Sequence, residues 1–264
     1  MTESRGTRIA LRLATFGVLA FLYVPLIILA IYAFNTSRIQ AWPPAGFTFH
    51  WFGEALNNPA IRTAILNSFI VATIATAIAL VLGTLAALAV QRYSFFGRES
   101  ISFLLVLPIA LPGVVTGIAL QTSFVTFGVD FGLLTIVVGH ATFCVVIAYN
   151  NVIARLRRLP RSPEEASADL GADMFTSFRR ITLPSMGTAL LSGALLAFAL
   201  SFDEIIVTNF TAGAATQTLP LWIFTAIQRP NELPVVNVVA LFLMLVSVVP
   251  VYIATRISGE SAVK

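Results

Sequence analysis

The chain has 264 residues, 58% of them hydrophobic and 11% charged, with a mean hydropathy of +0.90. A soluble domain carries about a quarter charged residues, so this composition excludes a water-soluble globular fold and implies an integral membrane protein. The net charge of +4 does not point to nucleic acid, because the arginines gather at the ends of apolar runs, and the single cysteine, Cys144, excludes an internal disulfide.

Arg5, Arg8 and Arg12 lead into an apolar run over 11–34. That run is too long for a signal-peptide core and no small-x-small cleavage site follows it, so an uncleaved first span is expected. Crossing roughly 30 Å of hydrocarbon takes about 20 helical residues. Five further spans are expected over 65–90, 101–127, 132–153, 188–212 and 235–256, all α-helical because a lipid-facing backbone must satisfy its own hydrogen bonds. Thirteen of the sixteen Arg and Lys residues fall on one side of this arrangement, and only Arg38, Arg62 and Arg229 on the other. Cytoplasmic N and C termini and an even span count follow together. The organisation expected is an N-terminal tail, first span and outer loop (1–64), a five-span core (65–256) holding a cytoplasmic loop at 160–186, and a tail (257–264). Trp42, Trp51 and Trp222 fall in outer segments, as an aromatic belt would, and "FTFHWFGEALNNP" and "LPLWIFTAIQRP" read as short surface helices.

The third span carries Pro108 and Pro112, which free the carbonyls of Leu104 and Pro108. These read either as a kink or as a place where carbonyls meet a cation. Gly113 and Gly117 make a small-xxx-small packing face. His140 and Cys144 lie four residues apart in the fourth span; with no third ligand evident, His140 reads as a packed, hydrogen-bonded histidine rather than a metal site.

The inner loop after the fourth span is the longest. In "RSPEEAS", Ser162 suits an N-cap, Pro163 the first helical position and Glu165 the third, with Glu164 and Glu165 at the positive end of the helix dipole. Gly171 permits a sharp turn, "MFTSFRR" reads as a second short helix, and Pro184 is poorly suited to a helix interior. Met174, Phe175 and Phe178 would be exposed there, as on a partner surface.

The fifth span holds Asp203 and Glu204 at mid-depth, where a carboxylate costs on the order of 3 kcal/mol. They would pair with another subunit, be protonated, or line a wet cavity crossed by a cation. On one continuous helix Ser201, Glu204, Thr208 and Thr211 share a stripe, so Glu204 is expected to face the cavity and Asp203 the flank. An inter-subunit structural pair is the competing reading.

Glu165-Ala166-Ser167, three residues, Gly171, nine residues, then Ile181-Thr182-Leu183-Pro184 resembles the EAA loop of ABC-importer permeases, with Ser167 for the second alanine. "NSFIVA", "LPIALPGVVTGIAL" and "LSFDEIIVTNF" extend the resemblance over nearly the whole chain, and within the family it is most similar to the polyamine (spermidine/putrescine) branch. The resemblance implies a type I permease fold in a bacterial inner membrane. It implies a coupling helix, with Glu165, Ala166, Ser167, Gly171, Ala172, Phe175, Leu183 and Pro184 at the joint with a separate ATPase dimer. A second permease chain (a homologous subunit or a copy) and an extracytoplasmic binding protein would complete the assembly. No cofactor is expected in this chain. With Lys264 as the only lysine it cannot hold a P-loop, so ATP-Mg belongs to the partner. The alternatives are an ion-driven secondary transporter or channel, for which no internal repeat is visible, and an intramembrane serine enzyme, for which "LLSGAL" lacks the preceding glycine.

Overall fold

The computed structural model describes residues 5–260, and among these the chain is mostly helical, with one isolated antiparallel bridge between Asn35 and Phe47. The helices are α1 (Arg5–Ala33), α2 (His50–Asn57), α3 (Pro59–Arg92), α4 (Arg98–Ala110), α5 (Gly113–Thr126), α6 (Leu133–Leu156), α7 (Ser162–Asp169), α8 (Met174–Ser177), a π turn (Phe178–Thr182), α9 (Leu183–Ser185), α10 (Gly187–Phe202), α11 (Ile206–Thr211), α12 (Leu219–Ala226) and, after a 3-10 turn (Pro230–Glu232), α13 (Leu233–Glu260). They form two compact units, one of residues up to Ile61 with Ile223–Val246, the other of Arg62–Trp222 with the residues from Ser247 on.

In the first unit the apolar α1 leaves nearly all its side chains exposed in the single chain. The loop after it is organised by buried Asn35. Its side-chain oxygen accepts the Ala45 amide at 3.1 Å, and its carbonyl accepts the Trp51 indole N–H at 2.7 Å. Trp51 is therefore buried, as is Trp222 of the second unit, and only Trp42 is exposed as a belt residue would be.

In the second unit α3 runs along α6 on a stripe of small residues. Ala72, Ala75, Ala79 and Ala87 are fully buried, and at Gly83 an added Cβ would lie 2.8 Å from both the Ala148 Cβ and the Tyr149 nitrogen. Close backbone approach of this kind is how helices gain contact in lipid, where apolar surface alone gives no preference for protein over tails. The α10 helix packs along α6 as well, burying Ala197 with Cys144 and Ala148. The short α11 sits against both α5 and α6. Gly117 admits the Phe210 ring and Gly139 admits Val207, while Gly113 lies against Ile206, so the glycine pair of the third span is a packing face.

Two of the expected spans are not single helices. The third is broken at Leu111 and Pro112, both extended (ψ 143° and 133°), because a residue before proline is pushed out of the helical region. Pro108 stands in the last turn of α4; its side chain is outside the described set, as is Lys264. The fifth stops at Phe202 and restarts at Ile206, with Asp203 to Ile205 between. Among the described residues α1, α3 and α6 are each long and apolar enough to cross a membrane, and the stretch Met174–Ser185 with α10 forms a fourth candidate bent by 66°. The sixth expected span lies within α13.

Gly83→Leu is expected to destabilise the chain by about 1–3 kcal/mol through overpacking, read as a lower thermal unfolding midpoint in detergent. Gly53→Ala, where an added Cβ meets nothing within 4 Å, is the control and should leave the midpoint within about 0.5 kcal/mol equivalent. An unchanged midpoint for Gly83→Leu would mean that α3 and α6 do not meet there.

Candidate functional site

The polar loop after α6 folds into a short helical elbow. Helix α7 begins at Ser162 itself, with Arg161 in the cap position and no side-chain cap bond, so the expected Ser162–Glu165 capping box is not made. Pro163 still sits in the first turn, where its missing N–H has no intrahelical partner to lose. The C-terminus is a complete Schellman closure. Gly171 adopts φ +83°, its amide donates to the Ala168 carbonyl at 2.9 Å, and the Ala172 amide donates to the Ser167 carbonyl at 3.1 Å. No neighbour crowds Gly171; only the left-handed backbone requires glycine. Asp173 then caps α8, accepting the Thr176 amide at 2.8 Å, and hydrogen bonding from Thr176 holds its carboxyl below the usual carboxylate range.

Pro184 does not end the helical path, contrary to expectation. The Leu183 amide reaches back five residues to the Phe178 carbonyl, and this wider π turn relieves the clash that a proline ring makes with the carbonyl four residues before it. The chain thus continues helically from α8 to Ser185 before bending into α10.

Three side chains tie the elbow to the end of α3. Glu164 forms an ion pair with Arg92 and accepts the Thr182 hydroxyl, and Arg92 also lies 3.4 Å from that hydroxyl. Burial alone would raise the Glu164 carboxyl. The hydrogen bonds from Arg92 and Thr182, with the charges of Arg92 and Arg161, outweigh it and hold the group below its ordinary value. The sequence reading placed weight on Glu165, which is exposed, and missed this cluster. Its only trace in the sequence is a lone arginine closing α3 and a second acid opening α7. Ser167 hydrogen-bonds Ser177 at 2.9 Å, closing α7 onto α8, and Arg155 donates to the Ser185 carbonyl at 3.0 Å.

The outer face of the elbow is apolar. Leu170, Met174 and Phe175 are 89%, 72% and 68% exposed; Leu170 was not anticipated. Phe178, expected to be exposed with them, instead turns inward against the cluster around Leu156 and Met186. Ala166, Leu183 and Pro184 are also exposed, and Ala172 is half-buried. Behind them lies a groove of about 680 Å³ between the end of α3 and the elbow, lined by Leu85, Leu88, Ala89, Tyr93 and Phe175 among others. Protruding apolar side chains on a rigid, polar-rimmed element form a surface suited to a partner protein.

The second candidate site is the gap in the fifth span. Glu204, expected to face an open cavity, folds back so that its carboxylate accepts the Val207 amide at 2.9 Å, capping α11. Asp203, expected on the flank, is the exposed carboxylate, and neither acid has an ion-pair partner among the described residues. Ser201, Thr208 and Thr211 are buried. Ser201 and Thr208 face α6, where His140 lies 2.7 Å from the Ser201 hydroxyl and 2.8 Å from that of Thr208. The packed histidine read from the sequence is found, and Cys144 hydrogen-bonds the Ala197 carbonyl at 3.4 Å. No cluster able to hold a metal occurs among the described residues. Pro112 lies at the break between α4 and α5.

Residues 79–260 match the family described as binding-protein-dependent transport system inner membrane component. The chain is 38% identical over 232 residues to the putrescine transport system permease protein PotI of Escherichia coli (strain K12), covering 85% of this chain and 82% of that one. It is 33% identical over 247 residues to the spermidine/putrescine transport system permease protein PotC of Haemophilus influenzae, covering 93% and 95%. In fold it is similar to a chain of a bacterial ABC transporter involved in the import of the acidic polysaccharide alginate (TM-score 0.72, 16% identity, 98% and 99% covered). It is also similar to a chain of the MetNI methionine ABC transporter in inward-facing form (TM-score 0.60, 15% identity, 80% and 97% covered).

Because the folded Glu164 value lies below the unfolded one, its contribution is complete above the ordinary carboxylate range and is lost as pH falls through the folded value. Amide exchange over 162–170, corrected for intrinsic rate, is therefore expected to stay constant from pH 7 to about 5 and to rise in more acidic solution. In Glu164→Gln it should be raised across the whole range. A flat profile in both proteins would remove Glu164 from the tether.

Proposed function

The chain belongs to the binding-protein-dependent transport system inner membrane component family, as a permease subunit, and from that premise we propose that it carries polyamines of the putrescine and spermidine class inward by alternating access. The observation that carries the cargo is the identity of 33–38% over most of the chain to polyamine permeases. An exposed carboxylate at a membrane-depth helix gap supports it, since a cation would be the natural counter-charge. In this reading Asp203 meets the cation and Glu204 shapes the gap. Ser201 and Thr208 hold its two sides, and Pro108 and Pro112 shape the facing break in the third span. Family membership sets aside the ion-driven carrier and the intramembrane enzyme.

The assembly proposed has six crossings, both termini in the cytoplasm, and a place in a bacterial inner membrane. The arginine distribution supports the orientation. A second permease chain, most simply a homologous one, would complete the pathway, and an extracytoplasmic protein would deliver cargo. ATP-Mg would be hydrolysed by a partner ATPase dimer that grips the elbow of α7 and α8. Glu165, Ala166 and Gly171 would lie at that joint, with Leu170, Met174 and Phe175 as the apolar contact. The family's modular character and the elbow's rigid apolar face support this division of labour.

Gly171→Asp is expected to leave the chain in the membrane while uptake falls and ATP hydrolysis becomes independent of cargo, because a β-carbon at positive φ undoes the Schellman closure. Normal uptake by that variant would end the docking role. Asp203→Asn, assayed as ATP-driven putrescine uptake in proteoliposomes with the ATPase and binding protein present, should raise KM roughly tenfold or more, the worth of one charge-assisted contact. An unchanged KM would remove Asp203 from the cargo's path.

A further inference from the structure

The fifth span is cut at mid-course, yet both pieces stay against α6. The imidazole of His140 stands at the cut. It is fully buried, with Ser201 of the last turn of α10 on Nδ1 and Thr208 of α11 on Nε2.

The hydroxyl partners favour one state of the ring. The Thr208 hydroxyl has one proton, and it points to the Glu204 carbonyl at 2.9 Å, a group that the interruption has taken out of the helical ladder. Thr208 therefore has only lone pairs left for the histidine, so Nε2 carries the hydrogen and donates. A neutral ring then leaves Nδ1 as an acceptor, filled by the Ser201 hydroxyl. In this arrangement all three polar groups are satisfied, whereas a proton on Nδ1 would require the Ser201 hydroxyl to turn and accept.

We propose that His140, as the neutral Nε2–H tautomer, is a positioning residue that splints the gap in the fifth span, holding Ser201 on one side and Thr208 on the other and thereby fixing where Asp203 and Glu204 project. The consequence for transport rests on the reading of Asp203 as the cation contact; the splint itself does not. The chain has two histidines, and the other, His50, is largely exposed, so their signals separate readily.

The test is 15N NMR of the chain labelled only at histidine, in the assembled complex with unlabelled partners, with His140 assigned by its loss in His140→Gln. An unprotonated Nδ1 and a protonated Nε2 are expected. The opposite tautomer or a doubly protonated ring would overturn the assignment. In parallel, Ser201→Ala and Thr208→Val should each raise KM for putrescine uptake about tenfold, one hydrogen bond's worth. Each should add little once His140→Phe is present, because the three groups act as one unit. Fully additive losses would overturn the splint even with the expected tautomer. Should His140→Phe fail to assemble, His140→Asn, which keeps a polar atom near the Nδ1 position only, replaces it in the cycle, and the wild-type spectrum still decides the tautomer. An unchanged KM in Asp203→Asn with the expected tautomer and non-additivity would sink the cation contact and leave the splint standing.

Discussion

Every backbone N–H and C=O at membrane depth needs a partner from within the protein, since an unsatisfied one costs several kcal/mol in hydrocarbon. That constraint decides where this chain can afford to leave the helix. At Leu111–Pro112 part of the ladder survives the break. The Leu111 amide still reaches the Leu107 carbonyl, and the Pro112 carbonyl takes the amides of Val115 and Thr116. At Asp203–Ile205 side chains take the place of ladder partners. The Glu204 carboxylate takes the Val207 amide, the Thr208 hydroxyl takes the Glu204 carbonyl, and Thr135 of α6 reaches the Thr211 carbonyl at 2.7 Å. The gap exists because these groups are in place, and it orders Glu204 while leaving Asp203 open.

The same accounting governs the other end of α10 with water as an additional partner. The Schellman closure at Gly171 satisfies the last carbonyls of α7, Asp173 satisfies a first amide of α8, and the π turn accommodates Pro184 without ending the helical path. The product is an elbow with few soft joints, continuous through the 66° bend with α10. Since α10 ends at the gap, the elbow and the gap are opposite ends of one rod packed along α6. A displacement of the elbow therefore has a direct mechanical route to the carboxylates.

How much of this the sequence discloses depends on whether a residue acts through its own backbone or through a distant partner. Gly171 is legible because only glycine suits the turn that the flanking pattern demands, and Pro112 because its ring forbids the helix. Six apolar runs are legible as composition. The gap in the fifth span is not, since nothing in "LSFDEIIVTNF" breaks helical periodicity and the break relies on Glu204 replacing a backbone partner with its side chain. The same limit hides the tie of Arg92 to Glu164 and Thr182, whose members lie 72 and 18 residues apart in sequence. It also hides the burial of Trp51, which follows from the Asn35 carbonyl and not from its neighbours. His140 is legible as a packed histidine, while its two partners are not.

Ser167, the departure from the E-A-A pattern, shows how the pieces act together. An alanine there would leave α7 and α8 joined only through Gly171 and its closure. The serine hydroxyl adds a bond to Ser177 across the elbow, while Glu164, one turn earlier on α7, is held by Arg92 of α3 and by Thr182 of the π turn. Helix α7 is thus fixed to α8 at one point, to the π turn at a second and to the second span at a third. On α7 itself these bonds meet at two residues one turn apart, Glu164 and Ser167, which fix the direction of the short helix against its three neighbours. A load applied to its apolar face would reach α3 through Arg92 and the helical path into α10 through Thr182, the two connections that the proposed lever between an ATPase and the gap calls for.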